Sequence, residues 1–218
     1  MIPILISYFG KAEYGLIGLA QSINAYMRLM DMGLTSTNVR FFSNWLSKGE
    51  NSKVKKLFST CTSIYGVVGL INAVVLIIVS CFSDVIFNVT PEQNVILQKL
   101  LIILAVAAVI NWFTSCYNQI IQATENVALT QRMILLTKLL MVGSVLLTVY
   151  LDLSITVYVS LTVICNWIIL PNVIRKIKSL LPFISFRPKF DREVFKEIWP
   201  YTLNIFSFTI FSFSYQQL

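Results

Sequence analysis

The sequence predicts an all-α protein, a polytopic bundle of transmembrane helices, and three observations carry that expectation. Charged residues make up 12% of the 218, against about 25% in an ordinary soluble domain. Long runs carry no charge at all: 27 residues lie between Lys56 and Asp84, 25 between Lys99 and Glu125, and 22 between Asp152 and Arg175. About 20 apolar residues are enough to cross a bilayer. The cations, finally, are distributed between these runs as a chain threading a membrane requires.

At the amino end, MIPILISYFG is too short to span and has neither the basic start nor the small-residue cleavage site of a signal peptide. It reads as the last third of a helix. Six spans or near-spans follow, at about Tyr14–Leu34, Phe58–Phe82, Val95–Ile121, Met133–Leu151, Ile155–Ile174 and Ile198–Leu218. KAEYG and LDLS are short enough to be tight turns between antiparallel neighbours. SDVIFNVTPEQN is a longer loop, with Pro91 placed to start a helix and Asn88-Val89-Thr90 forming a weak glycosylation sequon. The segment RKIKSLLPFISFRPKFDREVFKE mixes Leu180, Leu181, Phe183, Ile184 and Phe186 with charges. It reads as an interfacial linker on the inner leaflet or, equally, as a tether between two helical bundles.

If every span crosses, the loops after Leu34, Ile121 and Ile174 share one side. They hold thirteen lysines and arginines, whereas the opposite loops hold only Lys11 and Lys99. Lys and Arg stay on the cytoplasmic side, which orients the chain with those three loops in the cytoplasm. The net charge of +7 is then a topology signal. The partner it implies is the lipid bilayer, and no nucleic acid is expected.

Several polar residues fall within the spans, where each ionisable group is expensive. On a continuous helix Gln21, Asn24, Arg28 and Asp31 share one face. That stripe is either a packing seam, since membrane helices use polar groups as glue, or the lining of a hydrated cavity in which Arg28 meets an anionic substrate. Lys138, inside the fourth span, either snorkels to the headgroups or joins the same lining. The candidate cavity residues are therefore Arg28, Asp31, Asn24 and Lys138. Asn72, Asn111, Asn166 and Asn204 each sit in a different span and are expected to bond between helices. Tyr150, Tyr158, Trp167 and Trp199 fit interface anchors.

Reaction chemistry is not evident. Cys61, Cys81, Cys116 and Cys165 lack metal-ligand spacing and suit apolar packing. There is no histidine, no paired carboxylate motif and no Gly-rich phosphate loop. Neither an enzyme nor a bound metal or cofactor is expected.

The stretch YFGKAEYGLIGLAQSINAYMRLMDMGLTSTNVR, ending at Arg40, resembles the polysaccharide flippase family, the O-antigen and capsule exporters of the MATE-like superfamily. Phe9-Gly10 and Tyr14-Gly15 stand where that family has an LG-x-x-x-YG turn. Asp31, Gly33, Leu34 and Arg40 match its D-x-G-L followed by an arginine. The basic segment after this helix, the QATEN turn and the basic linker into FKEIWPYTLNIF fit the same order of spans. The resemblance implies the N-terminal lobe of a MATE-like two-lobe transporter over residues 1–178, a cytoplasmic basic linker at 179–197, and at 198–218 the first helix of a missing C-terminal lobe. It further implies that a lipid-linked oligosaccharide, carried on undecaprenyl pyrophosphate, crosses the bacterial inner membrane by alternating access through a cationic cavity between lobes. On this reading the first helix lacks its start and the last is cut, so a longer parent of about twice the length is expected, with two lobes rocking around one site. The alternatives are a MATE-type drug or cation antiporter and a non-transporting membrane fragment. Asp31 is the only acid inside an expected span and has an arginine beside it, which disfavours cation coupling.

Overall fold

The computed structural model describes residues 2–27, 31, 33–184 and 186–216. It is 86% helical, with no strand among the described residues. The helices run in the order α1 (Ile2–Met27), α2 (Leu34–Ser47), α3 (Asn51–Cys81), α4 (Ser83–Ile86), α5 (Pro91–Ala123), α6 (Val127–Tyr150), α7 (Ile155–Ile168), α8 (Leu170–Leu180) and α9 (Arg192–Gln216). Four stretches are long and apolar enough to cross a membrane: Asn51–Cys81, Pro91–Ala123, Ala128–Tyr150 and Ile155–Leu180. The protein is an all-α, membrane-embedded bundle.

Within these helices the exposed faces are apolar, as contact with lipid requires. Along α3 the exposed residues are Val67, Leu70, Ile71, Val74, Ile77 and Ile78, whereas Asn72, Ala73 and Ser80 are buried. On α6 the exposed face is Leu135, Leu139, Leu146 and Leu147, and the buried positions include Ser144 and Thr148. Small and polar residues facing inward with branched apolar ones facing outward is how helices pack in hydrocarbon, where close approach and hydrogen bonds replace the hydrophobic drive.

Two expected spans are not among the four. The stripe over Tyr14–Leu34 was expected on one continuous helix; α1 is described over Ile2–Met27, and Gly33 adopts left-handed geometry (φ 78°, ψ 8°) before α2 starts. Gly10 also leaves helical geometry (φ 80°, ψ 163°), a region open to glycine alone. Both glycines belong to the motif that suggested a family, and both are helix breakers. KAEYG itself is helical, so the turn expected there is Gly10 alone. The other missing span, Ile198–Leu218, lies in α9, whose first turns carry Arg192, Glu193, Lys196 and Glu197.

Other boundaries moved as well. The basic stretch after Leu34 was expected to be loop, yet residues up to Ser47 form α2, and Gly49 (φ 70°) makes the tight turn into α3. The expected turn at LDLS is present, with Asp152 at φ 51°. Pro91 starts α5 as expected. Thr90 and Gln93 close a reciprocal cap over that start, Thr90 N donating to Gln93 Oε1 (3.1 Å) and Gln93 N to Thr90 Oγ1 (3.3 Å). QATEN turns through Glu125 (φ 54°), and Asn126 Oδ1 accepts from Leu129 N at 3.2 Å to start α6. Pro171 separates α7 from α8, because its ring denies the Trp167 carbonyl a helical partner.

The helices sort into two compact units. The first holds α1, Gly69–Asn111 and Gln131–Pro171; the second holds Asp31, α2, α3 before Gly69, Trp112–Thr130 and the residues from Asn172 onward. In the first unit α1 packs on α7, with the Phe9 and Tyr158 rings 6.0 Å apart. Tyr8 hydroxyl donates to Asp152 in the turn before α7, and Ser83 Oγ donates to Asn94 Oδ1 at 2.6 Å.

The second unit is built around Phe42, Trp45, Leu57, Phe58, Ile177 and Ile198, all fully buried. Here α9 docks along α2. Thr202 Oγ1 donates to Thr37 Oγ1 (3.2 Å), Arg40 lies 4.1 Å over the Tyr201 ring, and a Cβ on Gly33 would come within 2.6 Å of Ile205 Cγ2. The linker packs onto the second unit. α8 extends to Leu180, and the chain then returns along α3. Lys189 N donates to the Ser59 carbonyl (3.4 Å), Asp191 N donates to Thr60 Oγ1 (3.0 Å), and Phe186 stacks on Tyr117 at 6.4 Å. Asp191 then caps α9 by accepting from Glu193 N and Val194 N.

Candidate functional site

Of the four candidate cavity residues, three lie among the described residues. Asn24 lies in the first unit and Asp31 in the second. Lys138 is exposed on α6 and lines neither of the two cavities described below. Arg28 lies outside the described residues. The expected pairing of Arg28 with Asp31 therefore also lies outside the described residues.

Asp31 has different work. Its Oδ2 accepts from Thr35 N at 3.1 Å, and Oδ1 accepts from Thr35 Oγ1 at 2.9 Å and Tyr65 hydroxyl at 3.0 Å. A carboxylate meeting the first N–H groups of α2 satisfies donors that the helix cannot and sits at the positive end of its dipole. The Tyr65 hydroxyl in turn accepts from Gln119 Nε2 (2.8 Å), which also reaches Thr35 Oγ1 (3.0 Å). Asn38 Nδ2 donates to Gln119 Oε1 at 3.0 Å. Tyr65, Asn38 and Gln119 are all but fully buried, and Tyr65 stacks on Trp112 at 5.5 Å. This network joins α2, α3 and α5 of the second unit and consumes nearly all of its own polarity. Beside it, α2 and the end of α5 bound an open groove of about 710 Å³ that includes Arg40, Ser43, Asn44, Gln122 and Glu125.

The first unit holds the opposite arrangement. A cavity of about 700 Å³ opens among α1, α5, α6 and α7. Its polar lining is Gln21, Ser22, Asn24, Asn111, Thr162 and Asn166, and among the described residues no charged side chain lines it. Asn166 Nδ2 donates to the Thr162 carbonyl of its own helix at 2.7 Å, leaving its Oδ1 lone pairs for a guest. Tyr158 was expected at the interface as an anchor, but it is 9% exposed and forms part of the wall. Tyr150, at 87% exposure, fits the anchor role. Gln21 and Asn24 were legible as one polar face. That Asn111 and Asn166 join them from two other helices was not.

Of the remaining asparagines, Asn72 is buried in α3 and Asn204 is exposed on α9. Among the cysteines, Cys61, Cys116 and Cys165 are buried, whereas Cys81 is exposed. No group of three metal-ligating side chains occurs among the described residues.

No family model, curated protein or solved structure matches the chain.

Proposed function

We propose that the chain is a membrane transporter subunit, not an enzyme, and that it moves a lipid-linked oligosaccharide across the bacterial inner membrane for surface polysaccharide synthesis. The observation that carries this reading is the uncharged polar cavity of the first unit. Amides and hydroxyls at membrane depth are costly unless they meet a polar partner. Gln21, Ser22 and Asn24 of α1 face about 700 Å³ of space with Tyr158 in its wall, which suits a guest rich in hydroxyl groups that both donate and accept. The volume falls in the range of ligand pockets. A cation antiporter fits less well, because the Asp31 oxygens are taken by Thr35 and Tyr65.

A photo-crosslinking residue placed at Asn24 or Asn166 tests the reading in membranes that make the lipid-linked glycan. It should capture the glycolipid, while the same residue at lipid-facing Val106 or Leu139 should capture phospholipid alone. Failure at both cavity positions would sink the proposal. The expected orientation is tested separately. Lys53→Cys and Lys189→Cys should stay shielded from impermeant thiol reagents in intact cells, and Glu92→Cys should react.

A further inference from the structure

The second unit distributes its charges unevenly. Glu50 and Glu197 meet Lys53 at 2.9 and 3.9 Å, and Asp191 and Glu193 meet Lys56 at 3.2 and 3.9 Å. The four acids around the linker are therefore spent on two lysines of α3. Across α8, the linker and the start of α9, the exposed cations Arg175, Lys176, Lys178, Arg187, Lys189 and Arg192 have no ion pair among the described residues.

The geometry of α8 gives these charges a direction. Val173 and Ile177 are buried, so the helix is held by one apolar face while Arg175, Lys176 and Lys178 occupy the exposed one. Exposed apolar side chains are interleaved with the cations: Leu180 at 39%, Phe186 at 48% and Phe190 at 50%. Immediately before α8 lies the apolar α7, and Ile155–Leu180 as a whole is span-capable. The cations thus begin where the chain leaves hydrocarbon, at the depth of lipid headgroups. Unpaired cations with insertable apolar side chains between them match an acidic membrane surface.

We propose that α8 and the linker form a collar that binds acidic phospholipid headgroups of the surrounding bilayer. The collar selects lipid around the second unit and owes nothing to the cavity of the first unit or to its guest. Its affinity is electrostatic, with the aromatic side chains setting depth. Lys53 and Lys56 lie outside the collar because their charges are already neutralised.

The test uses the 218-residue chain in mixed phosphatidylcholine and phosphatidylglycerol nanodiscs, with the lipids retained on release counted by native mass spectrometry. Phosphatidylglycerol should be retained in clear preference at low salt. The preference should fade near 1 M salt, where the screening length drops to about 3 Å. Replacing Arg175, Lys176 and Lys178 by Gln should cut it by about tenfold or more, given roughly fivefold per cation near an acidic surface. Lys53→Gln with Lys56→Gln should leave it in place. Inorganic phosphate at matched ionic strength should not displace the lipid; displacement would show a site for free anions and overturn the proposal. Equal retention of the two lipids would overturn it too, as would a preference that survives the α8 substitutions.

Discussion

The two units handle membrane-buried polarity in opposite ways. In the second, Asp31, Thr35, Asn38, Tyr65 and Gln119 bond to one another across three helices, with Asn38 Oδ1 alone among them buried without a partner. In the first, Gln21, Asn24, Asn111 and Asn166 converge on a void. Residue type does not separate the cases, since amides occur in both. What separates them is that the second unit's set bonds across three helices, whereas the first unit's lines an open cavity in which Thr162 and Asn166 bond within their own helix. A closed network contributes rigidity, and an open lining leaves capacity for a guest.

The largest effect that would break this contrast lies at Gly33, which stiffens the second unit. Gly33→Val forces a branched residue into left-handed geometry and drives its Cβ against Ile205 and the Phe206 backbone. Strain and overpacking together should cost about 3 kcal/mol or more, read as lost thermal stability in nanodiscs. Adding Ile205→Ala should relieve the clash but not the backbone strain, so recovery should be partial. A single variant as stable as the parent would show that α9 does not dock on α2 as described.

Next in size is Gln119→Leu, which leaves the Tyr65, Thr35 and Asn38 groups short of a partner in a buried site. A loss of about 1–2 kcal/mol is expected, the usual penalty for orphaned polar groups moderated by the weaker values found in membranes. The first unit should behave differently. Asn166→Ala removes a side chain that bonds only its own helix in the described network. Stability should stay within about 0.5 kcal/mol, while glycolipid capture at Asn24 falls severalfold. If Asn166→Ala destabilises as much as Gln119→Leu, the two units do not differ in kind.

The smallest effect concerns pH. The Val194 N–H, and then Lys56 beside it, hold the Asp191 carboxyl below the ordinary aspartate range. A carboxylate lowered on folding contributes stability that is present above the unfolded value, near 3.9, and is lost as pH falls through the folded value. The melting temperature of the parent should therefore fall more steeply in that acid window than that of Asp191→Asn. Parallel curves for the two proteins would remove Asp191 from the linker's attachment.

The transmembrane helices were legible because hydrocarbon imposes a composition that a charge-free run of 27 or 25 residues states directly. α2 was not, because its buried face includes Thr37 and Asn38 beside Leu34, Phe42 and Trp45, so apolar spacing understates the helix. The bend at Gly33 was hidden for a related reason. A glycine such as Gly33 is tolerated within membrane helices, and only its left-handed φ reveals a stop. The site was half legible. Gln21 and Asn24 announced a polar face by helical spacing, but nothing local to Gln119 says that it meets a tyrosine 54 positions earlier. Tyr158 was misread because proximity to a span end suits an anchor and a cavity wall alike.

The contact of Thr202 with Thr37 spans 165 positions of chain. At a synthesis rate of 5–20 residues per second, roughly 8–33 s separate the emergence of the two threonines. During that interval α2 has no α9 to cover it, and Gly33 has no side chain of its own to shield the backbone at the bend. The second unit is therefore completed last, after every long apolar helix has already been made. A ribosome stalled before α9 would hold a chain whose membrane helices are present but whose α2 groove is still open, a target for quality-control proteases that sense unfinished membrane proteins.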